Sequence, residues 1–359
     1  MDQKRVLIGM SGGVDSAAAA VLLQQAGYEA VGCTLRLYTN EDIGQEGTCC
    51  SLEDVEDARS VAVRLGMDFF AFNFSAMFRR CVMDDFVSNY RAGRTPNPCI
   101  QCNRHIKFDA LLRRADELGI DYIATGHYAR VAYDADSGRW QLLRGKDLRK
   151  DQSYVLYPLT QEQLSRLKMP VGEYEKSEIR AIAEERRLVN AHKKDSQDIC
   201  FIPDGDYTAF LKQYGGVELI PGDFVDTDGK VLGRHKGLEC YTTGQRRGLG
   251  VSADRPLYVL RKDGHTNTVV LGDESELYSR TVWVEDFNWV SLAPAAEPVA
   301  VTAKTRYSQN EAPALLYPEE NGLVRVVFEQ PQRAVTAGQA LVAYQGDAVV
   351  GGGTICSFA

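Results

Sequence analysis

The stretch GMSGGVDSAA, Gly9 to Ala18, follows the apolar run Val6-Leu7-Ile8 and decides how the first third of the chain is read. Three glycines, two serines and one aspartate stand where a buried strand hands over to an Ala-rich helix. Such a turn leaves amide N–H groups free at a helix N-terminus, where the helix dipole favours negative charge. It is therefore an anion site. A plain tight turn explains most glycine pairs, but Ser11, Asp15 and Ser16 add hydroxyls and a carboxylate to the backbone donors. The Walker loop requires GxxxxGK[ST] and the dinucleotide fingerprint GxGxxG. Neither is present here.

Working outward, strands are expected at Arg5–Gly9, Tyr28–Leu35, Asp68–Phe74 and Asp121–Thr125. Helices are expected at Val14–Ala26, Leu52–Leu65, Ser75–Tyr90 and Asn103–Leu118, the second opened by a capping-box-like Ser51 and Asp54. Repeated β-α pairs predict an α/β fold, a parallel sheet with helices on both faces. After Gly126 the pattern changes. Arg130–Tyr133 and Trp140–Leu143 flank DADSGR as a hairpin, and Ser177–Arg187 is a short helix. Between Pro221 and Gly272 glycine is frequent and helices are hard to find. From Arg280 onward short strands alternate with turns, which predicts a small β-barrel. The organisation expected is 1–205, 206–275 and 276–359.

The 359 residues, 44% hydrophobic and 25% charged, have an ordinary globular composition with ample core. No apolar run approaches a membrane span. The opening MDQKRVLIGM enters its first strand at once, so no signal or transit peptide is expected and a cytoplasmic location is the default. Nine cysteines in a reducing compartment point to catalysis or metal rather than a disulfide scaffold. A net charge of −8 argues against nucleic acid binding in general, but overall charge can hide a basic face. Basic residues cluster at Arg144, Lys146, Arg149 and Lys150; at His192, Lys193 and Lys194; at His235 and Lys236; and at Arg246 and Arg247. Each cluster alone reads as a solvated loop unless the fold brings it beside others.

Cys99 and Cys102 form a CxxC within GRTPNPCIQCNRHIKF, Gly93 to Phe108. A single CxxC leaves zinc, redox and cluster roles open, and the second CxxC of a four-cysteine zinc site is missing. Cys200 lies in the polar loop DSQDICFIPDG, where it reads equally as a nucleophilic thiolate or as a small buried hydrophobe. Cys33, Cys81, Cys240 and Cys356 lie in apolar segments and are expected in the core. Cys49-Cys50 has no assigned role.

SGGVDS resembles the PP-loop of the ATP pyrophosphatase group. Joined with GRTPNPCIQCNRHIKF, ATGHYAR (Ala124–Arg130), KDQSYVL (Lys150–Leu156), DSQDICFI (Asp195–Ile202), HKGLECYTTGQRRGLG (His235–Gly250) and the terminal GGGTI, it makes essentially the whole chain resemble the tRNA-specific 2-thiouridylase family. The resemblance implies a PP-loop (Rossmann-type) catalytic domain, a small central domain and a C-terminal β-barrel. It implies ATP-dependent exchange of the C2 oxygen of the tRNA wobble uridine for sulfur, releasing AMP and diphosphate. Gly9, Met10, Ser11, Gly12, Gly13, Val14, Asp15 and Ser16 would hold ATP, with Asp15 helping to place Mg²⁺. Leu35 and Gly126, at carboxyl ends of strands where open α/β sheets bind ligands, would border the adenosine. Cys200 would carry a persulfide and Cys102 would be its partner, the pair ending each turnover as a disulfide.

By the same resemblance Asn97, Pro98 and Cys99 would touch the target base. His127, Lys150, Asp151, Gln152, Arg306, Tyr307 and Gln339 would contact tRNA of the Lys, Glu or Gln type. Without it, Lys150 and Arg306 read as surface cations, Tyr307 as barrel packing and His127 as a structural histidine. Some family members carry Asp at the position of Cys99. Here Cys99, Cys102 and Cys200 could together hold a [4Fe–4S] cluster with one open iron, so persulfide and cluster chemistry both stand. A cysteine desulfurase or sulfur-relay protein is the implied donor, with no membrane partner. The rival readings are another PP-loop enzyme, such as an amidotransferase-type nucleotide synthase or a different tRNA thiolase, and a non-catalytic tRNA- or metal-binding regulator.

Overall fold

The computed structural model describes residues 4–39, 52–193 and 199–359. Ser51, Cys49, Cys50, Lys194 and the start of the DSQDICFI block lie outside the described residues.

Strand β1 (Arg5–Gly9) is the centre of the first sheet. It pairs in parallel with β2 (Glu29–Arg36) on one side and β4 (Tyr122–Ala124) on the other. β3 (Phe69–Asn73) and the two-residue β7 (Leu167–Lys168) extend it, giving the order β3-β2-β1-β4-β7. Alternating side chains of a strand point to opposite faces, and a sheet buried on both needs apolar residues at every position. Val6 and Ile8 accordingly join the cluster formed with α1 (Val14–Gln25), α2 (Leu52–Arg64) and the helix Lys176–Glu185. Leu7 faces the other cluster, with Phe108, Leu111, Leu112 and Ile123. The four consecutive alanines of α1, Ala17 to Ala20, are fully buried, and their small size lets the helix press between the sheet and its helical neighbour.

Two long helical segments, residues 75–91 and 98–117, each contain a π-helical stretch, Arg79–Met83 and Asn103–Ala110. The second begins earlier than the sequence reading at Asn103. Asn97 is its N-cap, with Oδ1 accepting from Cys99 N at 3.1 Å, and Pro98 occupies the first turn. The CxxC therefore sits on the first turn of a helix, not in a preceding loop.

The central segment forms a four-stranded sheet from β8 (Gly222–Val225), β9 (Val231–His235), β10 (Tyr258–Asp263) and β11 (Thr268–Gly272), in the order β10-β11-β8-β9, around Phe224, Tyr241, Val259, Val269 and Leu271. In the C-terminal segment, β12 (Tyr278–Trp289) pairs with both β15 (Val324–Arg333) and β17 (Ala348–Phe358). With β13 (Val299–Lys304), β14 (Ala312–Pro318) and β16 (Ala340–Gln345), that double pairing closes the strands β12-β15-β14-β13-β16-β17 into a barrel, filled by Val282, Val284, Leu316, Val326, Phe328 and Leu341. The expected hairpin is present as β5 (Ala129–Asp134) and β6 (Arg139–Arg144). Leu143 pairs with Ala348, so this hairpin extends the barrel sheet and ties the C-terminal strands to the α/β layer. Among the described residues no helix is long and apolar enough to cross a membrane.

Candidate active site

The strand order reverses between β1 and β4, and their carboxyl ends, Gly9 and Ala124, frame the crevice where such sheets bind ligands. The loop Met10–Gly13 fills its mouth and is fixed from behind. Met10 donates its N–H to Cys33 O at 2.7 Å and accepts from Thr34 Oγ1 at 2.9 Å. Asn190 Nδ2 donates to Gly12 O and Gly13 O at 3.0 and 3.1 Å. Ser16 Oγ donates to Gly13 O and accepts from Ser11 N. With its carbonyls held this way, the loop leaves amides at the start of α1 for an anion. Gly13 caps that helix with no side-chain cap, so no oxygen of its own competes for those donors.

Glycine is required at two positions here. Gly12 has φ +73°, and a Cβ on it would meet the Asp54 carbonyl at 2.6 Å. A Cβ on Gly126 would meet Ser16 N at 2.6 Å. Gly126 thus lies against the start of α1, beside the phosphate loop. Leu35, half-buried near the end of β2, packs against both the cluster around Leu7 and Phe108 and the cluster that holds Tyr38, Phe78 and Cys102.

Asp15, the residue expected to help place Mg²⁺, is paired with an ammonium and a phenol. Lys176 Nζ contacts its Oδ1 and Oδ2 at 2.7 and 2.8 Å, and Tyr128 Oη donates to Oδ1 at 2.7 Å. Lys176, Tyr128 and Asn190 escaped the sequence reading. Lys193, grouped there with solvated cations, is held by Asp54 and Asp57 at 2.8 and 2.7 Å beside the same loop. Other members of the basic clusters are paired as well: Arg144 with Glu311, and Lys146 with Glu178. Arg246 and Arg247 are exposed.

The two candidate thiols lie at the same carboxyl edge of the sheet. Cys102 is buried in, and Cys200 half-buried against, one apolar cluster that also holds Leu37, Tyr38 and Phe74, the residues just past the ends of β2 and β3. Tyr38 Oη donates to Cys200 O at 2.6 Å, fixing that turn to the end of β2. Burial pushes the Cys102 thiol up to about 11, with Cys99 adding to the rise and Lys107 opposing it. All the described cysteines are free thiols, Cys99 exposed. Among the described residues no three His, Cys, Asp or Glu side chains gather to hold a metal ion. The alternative of a cluster at Cys99, Cys102 and Cys200 finds no gathered ligand set among the described residues: Cys99 is exposed on the helix that buries Cys102. Of the four cysteines expected in the core, only Cys33 is fully buried.

The remaining expected contacts are largely braced by the protein. His127 is buried, its Nδ1 hydrogen-bonded with Thr125 Oγ1 at 2.8 Å, and its ring lies 5.7 Å from that of Phe108. Burial, reinforced by Lys107, keeps it neutral well below the usual histidine range. Asp151 is buried and accepts from Gly145 N, Ser153 N and Ser153 Oγ. Gln152 Oε1 accepts from Tyr128 N at 2.9 Å, steadying the residue that holds Asp15. Lys150 is half-buried on the same loop. Tyr307 donates to Asp151 O at 3.0 Å, and Gln339 to Thr95 O at 2.8 Å, so barrel residues brace two loops of the α/β layer. Arg306 Nη2 donates to Thr243 O, Ala334 O and Thr336 Oγ1, joining the central sheet to the barrel.

Fold and site define a nucleotide-loop α/β protein carrying two β modules, with a pair of thiols at the loop's edge of the sheet. The profile of the tRNA methyl transferase HUP domain matches residues 4–204, its PRC-barrel domain 208–273, and the aminomethyltransferase β-barrel domain 279–355. The chain belongs to the tRNA-specific 2-thiouridylase family. It is 50% identical over 358 residues to the tRNA-specific 2-thiouridylase MnmA of Acetivibrio thermocellus, covering 99% of this chain and 100% of that one. The protein of the same name from Carboxydothermus hydrogenoformans is 50% identical over 356 residues, covering 98% of each. Among solved structures, a 4-thiouridine synthetase–RNA complex with bound ATP aligns over 59% of this chain and 50% of that one, with 18% identity and a TM-score of 0.35.

Proposed function

We propose that this chain is a tRNA-uridine 2-sulfurtransferase that thiolates the wobble uridine of tRNA at the expense of ATP. What supports the reading is that Cys102 and Cys200 share one apolar cluster with Leu37, Tyr38 and Phe74, just past the carboxyl ends of β2 and β3, the end of the sheet at which the glycine-rich loop follows β1. The amides of Gly9–Ser16 would bind the ATP phosphates. Lys176 supplies positive charge beside them, and Mg²⁺, held mainly by phosphate oxygens and water, would need few protein ligands. Leu35 and Gly126 would border the adenosine.

A uridine carbonyl oxygen is a poor leaving group. Attack of that oxygen on the α-phosphorus expels diphosphate and leaves C2 bearing AMP, which departs readily. A persulfide on Cys200 then attacks C2 with its terminal sulfur. Cys102, held protonated at rest by burial, gives up its proton to the departing AMP as its sulfur attacks the Cys200 Sγ and breaks the S–S bond, whose electron pair passes to the sulfur on C2. A Cys102–Cys200 disulfide remains and takes two electrons from an external dithiol, which ends as a disulfide itself. The persulfide would come from a cysteine desulfurase or sulfur-relay protein. Asn97, Pro98 and Cys99, on the helix turn carrying Cys102, would meet the extruded base. Lys150, Asp151, Gln152, His127, Arg306, Tyr307 and Gln339 would shape the surface for a cytoplasmic tRNA of the Lys, Glu or Gln type. On this reading 1–205 is the catalytic ATP-binding domain, 206–275 a small central domain and 276–359 the tRNA-contacting barrel.

The test is tRNA-dependent release of AMP and diphosphate by Cys102→Ser and Cys200→Ser. Both variants should bind ATP and lose thiolated product. An amide-transfer enzyme would keep its turnover in both, which would overturn the proposal.

A further inference from the structure

The loop from Gly145 to Gln152 is held more firmly than its exposed apex requires. Asp147 is buried, and its carboxylate accepts from Arg149 N at 3.1 Å and from Lys176 N at 3.3 Å. Asp151 accepts from Gly145 N and Ser153 N, both at 3.1 Å. Lys146 N donates to Gly172 O at 2.8 Å, and Lys150 N to Asp147 O at 3.0 Å. At the outer end Tyr307 Oη clasps Asp151 O. Burying two carboxylates under a surface loop is costly unless each is bonded, and bonding them fixes the loop's shape.

The loop is also chained to the phosphate site by two routes. Asp147 meets Lys176, whose ammonium grips Asp15. Gln152 bonds the backbone of Tyr128, whose hydroxyl reaches the same Asp15. Its apex therefore stands at a fixed offset from the start of α1.

That apex is Leu148, 66% exposed and absent from every apolar cluster. The next residue, Arg149, has 87% of its side chain exposed, with Lys146 half-exposed on the near side. A lone exposed leucine ordinarily needs no explanation. This one is presented on a rigid arm between two basic residues, Lys146, paired with Glu178, and Arg149, whose Nε lies 3.5 Å from Asp147 Oδ1. Apolar wedges set among cations are the chemistry by which proteins part stacked bases while gripping the adjoining phosphates.

We infer that Leu148 is a wedge that enters the anticodon stack where the target pyrimidine has left it, with Arg149 on the neighbouring phosphate. The inference rests on the tRNA reading above and names a residue beyond it. Pre-organisation explains the buried carboxylates: a wedge on a floppy loop would lose to ordering entropy what it gains in contact.

The experiment uses an anticodon stem-loop carrying 2-aminopurine beside the wobble uridine, whose fluorescence rises when its neighbour unstacks. The wild-type chain with ATP should raise the signal. Leu148→Ala should lose most of that rise and slow single-turnover thiolation about tenfold, with ATP affinity and thermal midpoint unchanged. Leu148→Met, which keeps an apolar wedge, should recover both. Arg149→Gln should weaken binding of every stem-loop alike and lower its salt dependence. A Leu148→Ala chain matching wild type in signal and rate overturns the wedge while leaving the tRNA reading intact. A wild-type chain that binds ATP but no stem-loop overturns both.

Discussion

The pair Asp15–Lys176 offers the sharpest perturbation of the nucleotide site. Lys176 Nζ lies 2.7 and 2.8 Å from the two carboxylate oxygens, with 10% of the lysine and 28% of the aspartate side chain exposed. Such a pair stands between a surface bridge, worth about 0–1 kcal/mol, and a fully buried one, whose breaking costs about 3–5 kcal/mol. Two charge-assisted bonds in a largely buried setting place Lys176→Met at about 2–3 kcal/mol. For a cooperative unit of roughly 200 residues this is a fall of roughly 5–10 °C in thermal midpoint. The variant also leaves Asp15 facing the phosphates without its counter-charge, so ATP affinity should collapse. In Lys176→Met/Asp15→Asn no unpaired carboxylate remains, and much of the lost stability should return while ATP affinity stays low. Thermal unfolding and calorimetric ATP titration of the four proteins give the cycle. Additive single effects, within about 0.5 kcal/mol, together with unaltered ATP binding in Lys176→Met, would refute the reasoning.

Two other outcomes follow from the same geometry. Gly126→Ala places a methyl group 2.6 Å from Ser16 N, a backbone atom that cannot step aside. It should cost about 1–3 kcal/mol in stability and displace the start of α1, weakening ATP binding in the same titration. The Cys102 thiol, raised by burial from 9.0 to about 11, stays protonated in the folded chain at neutral pH. Its alkylation should be slow there and accelerate toward pH 11, while the exposed Cys99 reacts first. Because the unfolded thiol loses its proton near the lower value, the folded state binds more protons between the two, and its stability should fall as pH rises across that window. Mass-mapped alkylation and pH-dependent melting check both parts.

The strand–loop–helix of residues 5–25 was legible because local rules agree there: an apolar run, glycines at the turn and an alanine-rich helix. The start at Asn97-Pro98 carried its own signal, an N-cap residue before a proline, although the apolar pattern alone places the helix start at Asn103. Lys176 could not be found. In KSEIR it looks like any solvated helix lysine, and only the fold brings it 161 positions back to Asp15. Tyr128 and Asn190 are silent for the same reason, since their partners are far away in the chain. The hairpin at 129–144 was visible from its turn, but its docking on β17 rests on one register pair more than 200 residues distant. The basic clusters misled in the other direction. Arg144 and Lys193 are drawn into ion pairs by carboxylates that lie elsewhere in the sequence.

Sulfur delivery to one tRNA base is the claim on which the rest depends. The most direct measurement is nucleoside mass analysis of unmodified tRNA incubated with the purified chain, ATP, Mg²⁺ and a persulfide-generating desulfurase. The wobble uridine should gain the mass of oxygen exchanged for sulfur, one AMP appearing for each base converted, with no gain when ATP is withheld. Hydrolysis of ATP to AMP with the uridine left unchanged would contradict the account.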